Sequence, residues 1–163
     1  MTHTLILMRH AKSSWEFPAL DDHARPLNDR GRRSAAVLGD WLRSRGHVPD
    51  QVLCSSATRT RETFAGLKLA VPVVFTDVLY AAGSVEMLEV LRRATARRIL
   101  MLGHNPGIAE LASDLVGTPP PHQRFEDYPT GATLVAEFQI SDWDEVDWEA
   151  GKAVDFVVPR DLM

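Results

Sequence analysis

Cysteine is almost absent from this sequence. The 163 residues include one cysteine, so no disulfide can form within the chain, and a reducing compartment suits such a composition. Long apolar runs are also missing, and none approaches the roughly 20 residues that a membrane-spanning helix needs. The formal net charge is −4, so the basic excess typical of nucleic-acid binding is missing too. With no signal-peptide pattern at the start, we expect a cytoplasmic protein that binds neither nucleic acid nor membrane.

What is present is an alternation of short apolar runs with segments of helical periodicity. The runs predict strands at Thr4–Met8, Gln51–Cys54, Val71–Phe75, Arg98–Leu102, Thr133–Phe138 and Ala153–Val158. The periodic segments predict helices capped by Asn28, by Ser55 or Ser56, by Ser84 and by Asn105. This order predicts an α/β fold: a three-layer α/β/α sandwich with a mostly parallel central sheet, formed by one domain over residues 1–163.

Polar side chains follow three of the predicted strands. Arg9 and His10 come directly after the first strand, Arg59 lies in the helical turn after the second, and His104 follows the Arg98–Leu102 strand. The carboxyl ends of parallel strands meet at one edge of a sheet, where ligands bind in α/β folds. Two arginines and two histidines at one edge favour a dianion such as a phosphoryl group, because the guanidinium fork matches phosphate oxygens.

Four segments that carry these residues resemble one known family. "LMRHAK" is similar to the Arg-His-Gly signature of the histidine phosphatase superfamily, whose members are phosphoglycerate mutase-like proteins, with Ala11 in place of the usual glycine. "SSATRTRET" resembles that family's second arginine motif, "LMLGHNPG" its second histidine motif, and "RPLNDRG" its loop before the first helix. Chain length and the later "YPTGATLVAEF" are most similar to the small phosphohistidine phosphatases of the SixA type.

The resemblance implies a phosphoglycerate mutase-like fold and a role for each residue. His10 would be the nucleophile that forms a covalent phosphohistidine, and Arg9, Arg59 and His104 would bind the phosphate, with Arg25 as an additional contact. No metal or other cofactor is expected, because the arginines supply the positive charge. The implied substrate is phosphohistidine on a protein or a small phosphorylated compound.

Three alternatives stay open from the sequence. "CSSATR" is similar to the Cys-x5-Arg loop of cysteine phosphatases, but Cys54 and Arg59 bracket four residues, which is one too few. A small-molecule phosphate ester phosphatase is the second alternative. The third is a non-catalytic phosphate-binding regulatory module, since a fold does not fix a function.

The segment after the third predicted strand bears on the leaving group. Relatives that cleave alkyl phosphate esters have a carboxylic acid there, whereas this chain has Ala81 and Ala82 in "DVLYAAG". Asp77 and Glu86 flank the segment, and neither is a convincing substitute. We therefore predict good turnover of phosphohistidine and aryl phosphates and poor turnover of alkyl phosphates.

Overall fold

A six-stranded sheet with four helices organises the chain, and the computed structural model describes every residue from Met1 to Met163. The strands are β1 (Thr2–Arg9), β2 (Gln51–Ser55), β3 (Val73–Thr76), β4 (Arg98–Gly103), β5 (Thr133–Gln139) and β6 (Lys152–Val157). The helices are α1 (Asp29–Ser44), α2 (Thr58–Leu67), α3 (Ser84–Arg92) and α4 (Gly107–Leu115). None of these helices is both long and apolar enough to cross a membrane.

The strand order explains why three strand ends meet. The sheet runs β3-β2-β4-β1-β5-β6, so β4 lies between β2 and β1. Strands β3, β2, β4 and β1 run parallel to one another, while β5 pairs with both β1 and β6 in the antiparallel sense. The predicted α/β fold with a mostly parallel central sheet is confirmed. It follows that the residues after β1, β2 and β4 leave the sheet at the same edge.

Strand β1 shows how the sheet is buried on both faces. Leu5 and Leu7 pack on one side in the cluster that contains residues of α3 and α4. Ile6 and Met8 point to the other side and join the cluster that contains residues of α1 and α2. Because successive side chains of a strand alternate between faces, a run of four apolar residues fits a strand covered on both sides. Each such burial stabilises the fold by about 1.5–3 kcal/mol, so the strand end is firmly anchored.

Helix starts are where the sequence predictions were partly wrong. Asn28 caps α1 as predicted, since its side chain accepts the Gly31 N–H at 2.8 Å. Ser84 is instead the first residue of α3, whose cap is Gly83, and α2 is capped by Ala57 rather than by Ser55 or Ser56. The cap of α4 is Pro106. Asn105, the predicted cap of α4, instead donates its side-chain amide to the carbonyl of Tyr128.

Candidate active site

The edge formed by β1, β4 and β2 gathers the predicted site residues. His10 follows β1, His104 follows β4, and their ring centroids are 5.2 Å apart. Arg59 lies in the first turn of α2, directly after β2. These three side chains belong to residues only 5%, 9% and 6% exposed, and Arg9 is half-buried beside them. The structure therefore brings Arg9, His10, Arg59 and His104 into one cluster, as the strand-end argument predicts.

Hydrogen bonds fix the tautomer of His10. Its Nδ1 lies 2.7 Å from the carbonyl oxygen of Ala11, and a carbonyl can only accept, so Nδ1 carries the proton. The lone pair of the neutral ring is then on Nε2. The pKa of His10 is lowered to about 3, chiefly by burial, with His104, Arg9 and Arg59 acting in the same direction against the Ala11 carbonyl. The ring is therefore neutral near pH 7, with an unprotonated nitrogen available for attack.

The backbone around His10 is held on three sides. The His10 N–H donates to Gly103 O at 3.2 Å, and the His10 carbonyl accepts from Gly131 N–H at 2.9 Å. Ala11, at the position of the family's usual glycine, is fully buried, and its N–H donates to Thr63 Oγ1 at 3.0 Å. The methyl group of Ala11 is thus accommodated without loss of that backbone contact. A side chain on so constrained a backbone needs little reorganisation before a reaction.

His104 has the complementary hydrogen-bonding pattern. Its Nε2 lies 2.8 Å from Ser55 Oγ, which already accepts the Ala57 N–H at 3.3 Å. The arrangement that satisfies the hydroxyl is donation to Nε2, which places the ring proton of His104 on Nδ1. Burial lowers the pKa of His104 to about 4, with Arg59 contributing, so this ring is neutral as well. His104 therefore offers a neutral Nδ1–H donor, while its Nε2 is engaged by Ser55.

Asp22 is the site residue that sequence reasoning missed. Its backbone oxygen and its carboxylate accept from Nη1 and Nη2 of Arg59 at 2.7 and 3.0 Å. Tyr80 O–H donates to the same carboxylate at 2.5 Å. The Tyr80 hydrogen bond, followed by that of Arg59, lowers the pKa of Asp22 to about 2. Asp22 is thus an ionised group that fixes the plane of the Arg59 guanidinium.

Arg25 is engaged away from Arg9, His10, Arg59 and His104, the predicted phosphate-binding cluster. Its Nη1 donates to Ser13 Oγ at 2.7 Å and to Ser14 O at 3.2 Å, and its Nε donates to Asp22 Oδ1 at 3.3 Å. The guanidinium also stacks on the Trp15 ring, with its carbon 3.7 Å from the ring centroid. This geometry does not support the expected phosphate contact. Arg25 instead holds the loop that carries Asp22 against Arg59.

Three buried donors of the cluster have no acceptor within the protein. They are Nε of Arg9, Nε of Arg59 and, in the tautomer assigned above, Nδ1 of His104. Buried polar atoms are nearly always hydrogen-bonded, so three orphaned donors on neighbouring side chains indicate a place for an acceptor-rich ligand. An anion with several oxygens would supply such acceptors, and charge-assisted hydrogen bonds would make its binding strong.

The adjoining cavity has room for the rest of a substrate. It measures about 440 Å³ and includes Arg59, His104, Asp22, Tyr80 and Glu110 in its wall. Asn105 also faces it and donates its side-chain amide to the carbonyl of Tyr128 at 3.0 Å, the carbonyl that accepts from Arg9 Nη1 at 3.2 Å. Asn105 therefore ties this wall to the Arg9 side of the site instead of capping α4.

Two other kinds of chemistry lack suitable geometry. Cys54 is fully buried in the core, and burial raises the pKa of its thiol to about 12, so it is neither exposed nor ionised as a nucleophile must be. The cysteine phosphatase alternative is therefore wrong. No group of three or more His, Cys, Asp or Glu side chains is arranged to hold a metal ion.

The lowered histidine pKa values predict acid sensitivity of the fold. Below a pH of about 6.5 a histidine of the unfolded chain binds a proton, whereas His10 and His104 of the folded protein stay neutral. The free energy of unfolding should therefore fall as pH drops from about 6.5 toward 4. His10→Gln should make this fall shallower in urea unfolding compared at about pH 7 and pH 4.5. An unchanged acid dependence in His10→Gln would contradict the burial argument.

Comparison with known proteins identifies the class that this fold and site define. The model of the histidine phosphatase superfamily (branch 1) matches residues 5–82. An uncharacterized protein of Mycobacterium tuberculosis is 34% identical over 160 residues, which cover 94% of this chain and 100% of the relative. The chain belongs to the histidine phosphatase superfamily.

Within that superfamily the chain is similar to proteins of the SixA type. A protein of Haemophilus influenzae named phosphohistidine phosphatase SixA homolog is 27% identical over 130 residues, 69% of this chain and 77% of the relative. A solved structure from Nakamurella multipartitia, described as a candidate phosphohistidine phosphatase SixA, superimposes with a TM-score of 0.87 and 29% identity over 98% of this chain and 97% of its own. The predicted family is confirmed, and these findings support a phosphatase.

Proposed function

We propose that the chain is a metal-independent phosphatase that forms a covalent phosphohistidine on His10 and acts on protein phosphohistidine. The observation that carries the proposal is the set of three orphaned donors, on Arg9, Arg59 and His104, beside a neutral imidazole whose Nε2 is unprotonated. Donors that surround a transferred phosphoryl group lower the barrier to transfer by stabilising its charge.

The reaction would proceed in two displacements. In the first, the Nε2 lone pair of His10 forms a bond to phosphorus, and the bond to the leaving group breaks with its electron pair. The ring becomes positively charged, and the Nδ1–H bond to the Ala11 carbonyl stabilises that charge. In the second, water attacks phosphorus and the P–N bond breaks, which returns the pair to Nε2. The products are inorganic phosphate and the neutral enzyme.

Asp22 would act on this reaction through Arg59. It occupies both Nη atoms of that guanidinium and leaves Nε as the donor for phosphate. Because Tyr80 and Arg59 keep its pKa at about 2, Asp22 has no proton to give near pH 7. Asp22 is thus a positioning residue rather than a general acid.

The leaving group is what favours phosphohistidine. Ala81 and Ala82 lie at the position where ester-cleaving relatives have an acid. Of the two flanking carboxylates, Asp77 accepts a hydrogen bond from Ser56 O–H, and Glu86 lies in the first turn of α3. An alkoxide leaves poorly without a proton donor, whereas imidazole and aryl oxides leave readily. The proposal therefore names a phosphorylated protein as partner, with a small phosphate ester as the second candidate substrate. One domain over residues 1–163 and a cytoplasmic location remain part of the proposal.

We expect kcat/KM for a phosphohistidine peptide and for an aryl phosphate to exceed that for phosphoserine by about 10²–10⁴-fold, the usual contribution of general acid catalysis. Steady-state kinetics on the three substrates with purified protein measures this ratio. Equal efficiency on phosphoserine, lost selectively in Asp22→Asn or Glu110→Gln, would instead assign a general acid and an ester substrate. No turnover of any of the three would favour the non-catalytic phosphate-binding module.

A further inference from the structure

A second pocket, which is strongly basic, includes Arg9 in its wall. It measures about 360 Å³ and borders Pro129 and Thr130 and the turn that follows β6. Five cationic side chains line it, namely Arg9, Lys12, Arg30, Arg124 and Arg160, together with one carboxylate, Asp127. We call this the basic pocket. Arg9 is its only member among the four residues of the phosphate-binding cluster.

Most of the positive charge in the basic pocket is uncompensated. Asp127 pairs with Arg124, whose Nη2 lies 2.9 Å from the carboxylate, so these two charges largely cancel. No carboxylate lies within ion-pair distance of Lys12, Arg30 or Arg160, and none lies within that distance of Arg9. Four free cations converge here in a chain whose net charge is −4. Clustered cations of this kind attract anions.

The position of Arg30 strengthens this reading. It is the second residue of α1, where the positive end of the helix dipole disfavours a cation. Lys12, Arg124 and Arg160 reach the same pocket from the loop after β1, the segment before β5 and the turn after β6. Four separate elements thus place cations at one point against their mutual repulsion. Such an arrangement is useful when an anion binds between them.

We propose that the basic pocket binds an acidic side chain of the protein substrate, close to the phosphohistidine. The inference rests on the proposed function and deepens it. Arg9 belongs both to the basic pocket and to the cluster proposed to bind the phosphoryl group, so the two anions would bind near one guanidinium. An extended chain advances about 3.3–3.6 Å per residue, so the carboxylate would be a near neighbour of the phosphohistidine in sequence. A carboxylate of a small molecule would present the same negative charge to the basic pocket. Peptide and aryl phosphate substrates distinguish a carboxylate of a protein from one of a small molecule.

The test compares peptides that differ only in charge. One phosphohistidine peptide carries glutamates beside the phosphohistidine, and its twin carries glutamines. We expect the wild-type protein to prefer the acidic peptide by about 3- to 30-fold in kcat/KM, from two or more partly exposed ion pairs. Arg30→Gln/Arg160→Gln should abolish the preference while leaving kcat/KM for the neutral peptide and for an aryl phosphate within about twofold. Added salt should weaken the preference in the wild-type protein.

A matched variant controls for net charge. Arg33→Gln/Arg97→Gln removes two exposed arginines outside the basic pocket and should keep the full preference. Equal loss in both variants, or no preference in the wild-type protein, would overturn the basic pocket as a subsite. A further contrary result is a preference for carboxyphenyl phosphate over phenyl phosphate with no preference between the two peptides. That result would overturn the assignment of the acidic group to a protein substrate. If no aryl phosphate or peptide is turned over at all, the proposed function itself has failed.

Discussion

His10→Ala is expected to lower kcat/KM for a phosphohistidine peptide by at least about three orders of magnitude, because removal of a catalytic nucleophile leaves only the contribution of binding and charge stabilisation. The fold should survive. The strand that precedes His10 is anchored by its four buried apolar residues, and the backbone bonds of His10 to Gly103 and Gly131 do not involve the ring. We expect the free energy of unfolding to change by about 1 kcal/mol.

His47→Ala provides the matched control. His47 is also partly buried and hydrogen-bonded, to Asp155 at 3.0 Å, but it lies beside Trp41 and outside the phosphate-binding cluster. Its loss should leave kcat/KM unchanged within about twofold. Near-normal turnover in folded His10→Ala protein would show that another residue is the nucleophile.

Arg9→Ala and Arg59→Ala are each expected to lower kcat/KM by about 10²–10³-fold, the usual effect of removing one preorganised donor from a charge-stabilising site. Lysine at either position should restore only part of the activity, because it lacks the planar fork. For Arg59 the fork is needed twice, since its Nη atoms bind Asp22 while its Nε stays free. Steady-state kinetics with an aryl phosphate measures both effects.

Arg61→Ala is the control for Arg59. Arg61 lies on the same helix, but it is exposed, covers the Phe75 ring and donates to Ser56 O at 2.8 Å. Its loss should change kcat/KM little.

Turnover by the wild-type protein should also survive a strong chelator. Loss of activity on chelation, restored by a divalent cation, would contradict catalysis by the arginines alone.

The cluster itself was predictable because each of its members is tied to a strand end. A buried apolar run indicates where a parallel strand stops, and Arg9, His10 and His104 follow such runs directly. Arg59 is one helical turn from β2. Neighbouring strands in a parallel sheet then bring these residues together whatever the loops do.

Asp22 was not predictable, because its role depends on how a long loop folds back. It meets Arg59 and Tyr80 across 37 and 58 residues, and nothing local marks it among the acidic residues of its loop. The contacts of Arg25 were not predictable for the same reason: its main partner, Ser13, comes from the start of that loop. The capping errors at Ser84 and Asn105 have a more local cause, since a neighbouring residue took the cap position.

Trapping a phosphoryl group on His10 is the most direct test of the proposed reaction. Wild-type protein is mixed briefly with a radiolabelled aryl phosphate, which contains no phosphohistidine of its own, and the reaction is quenched in alkali. We expect one labelled site that is stable to alkali and labile to acid, located by peptide mapping at His10 and absent from His10→Ala. Label on another residue, or rapid turnover with no labelled protein at any quench time, would contradict it.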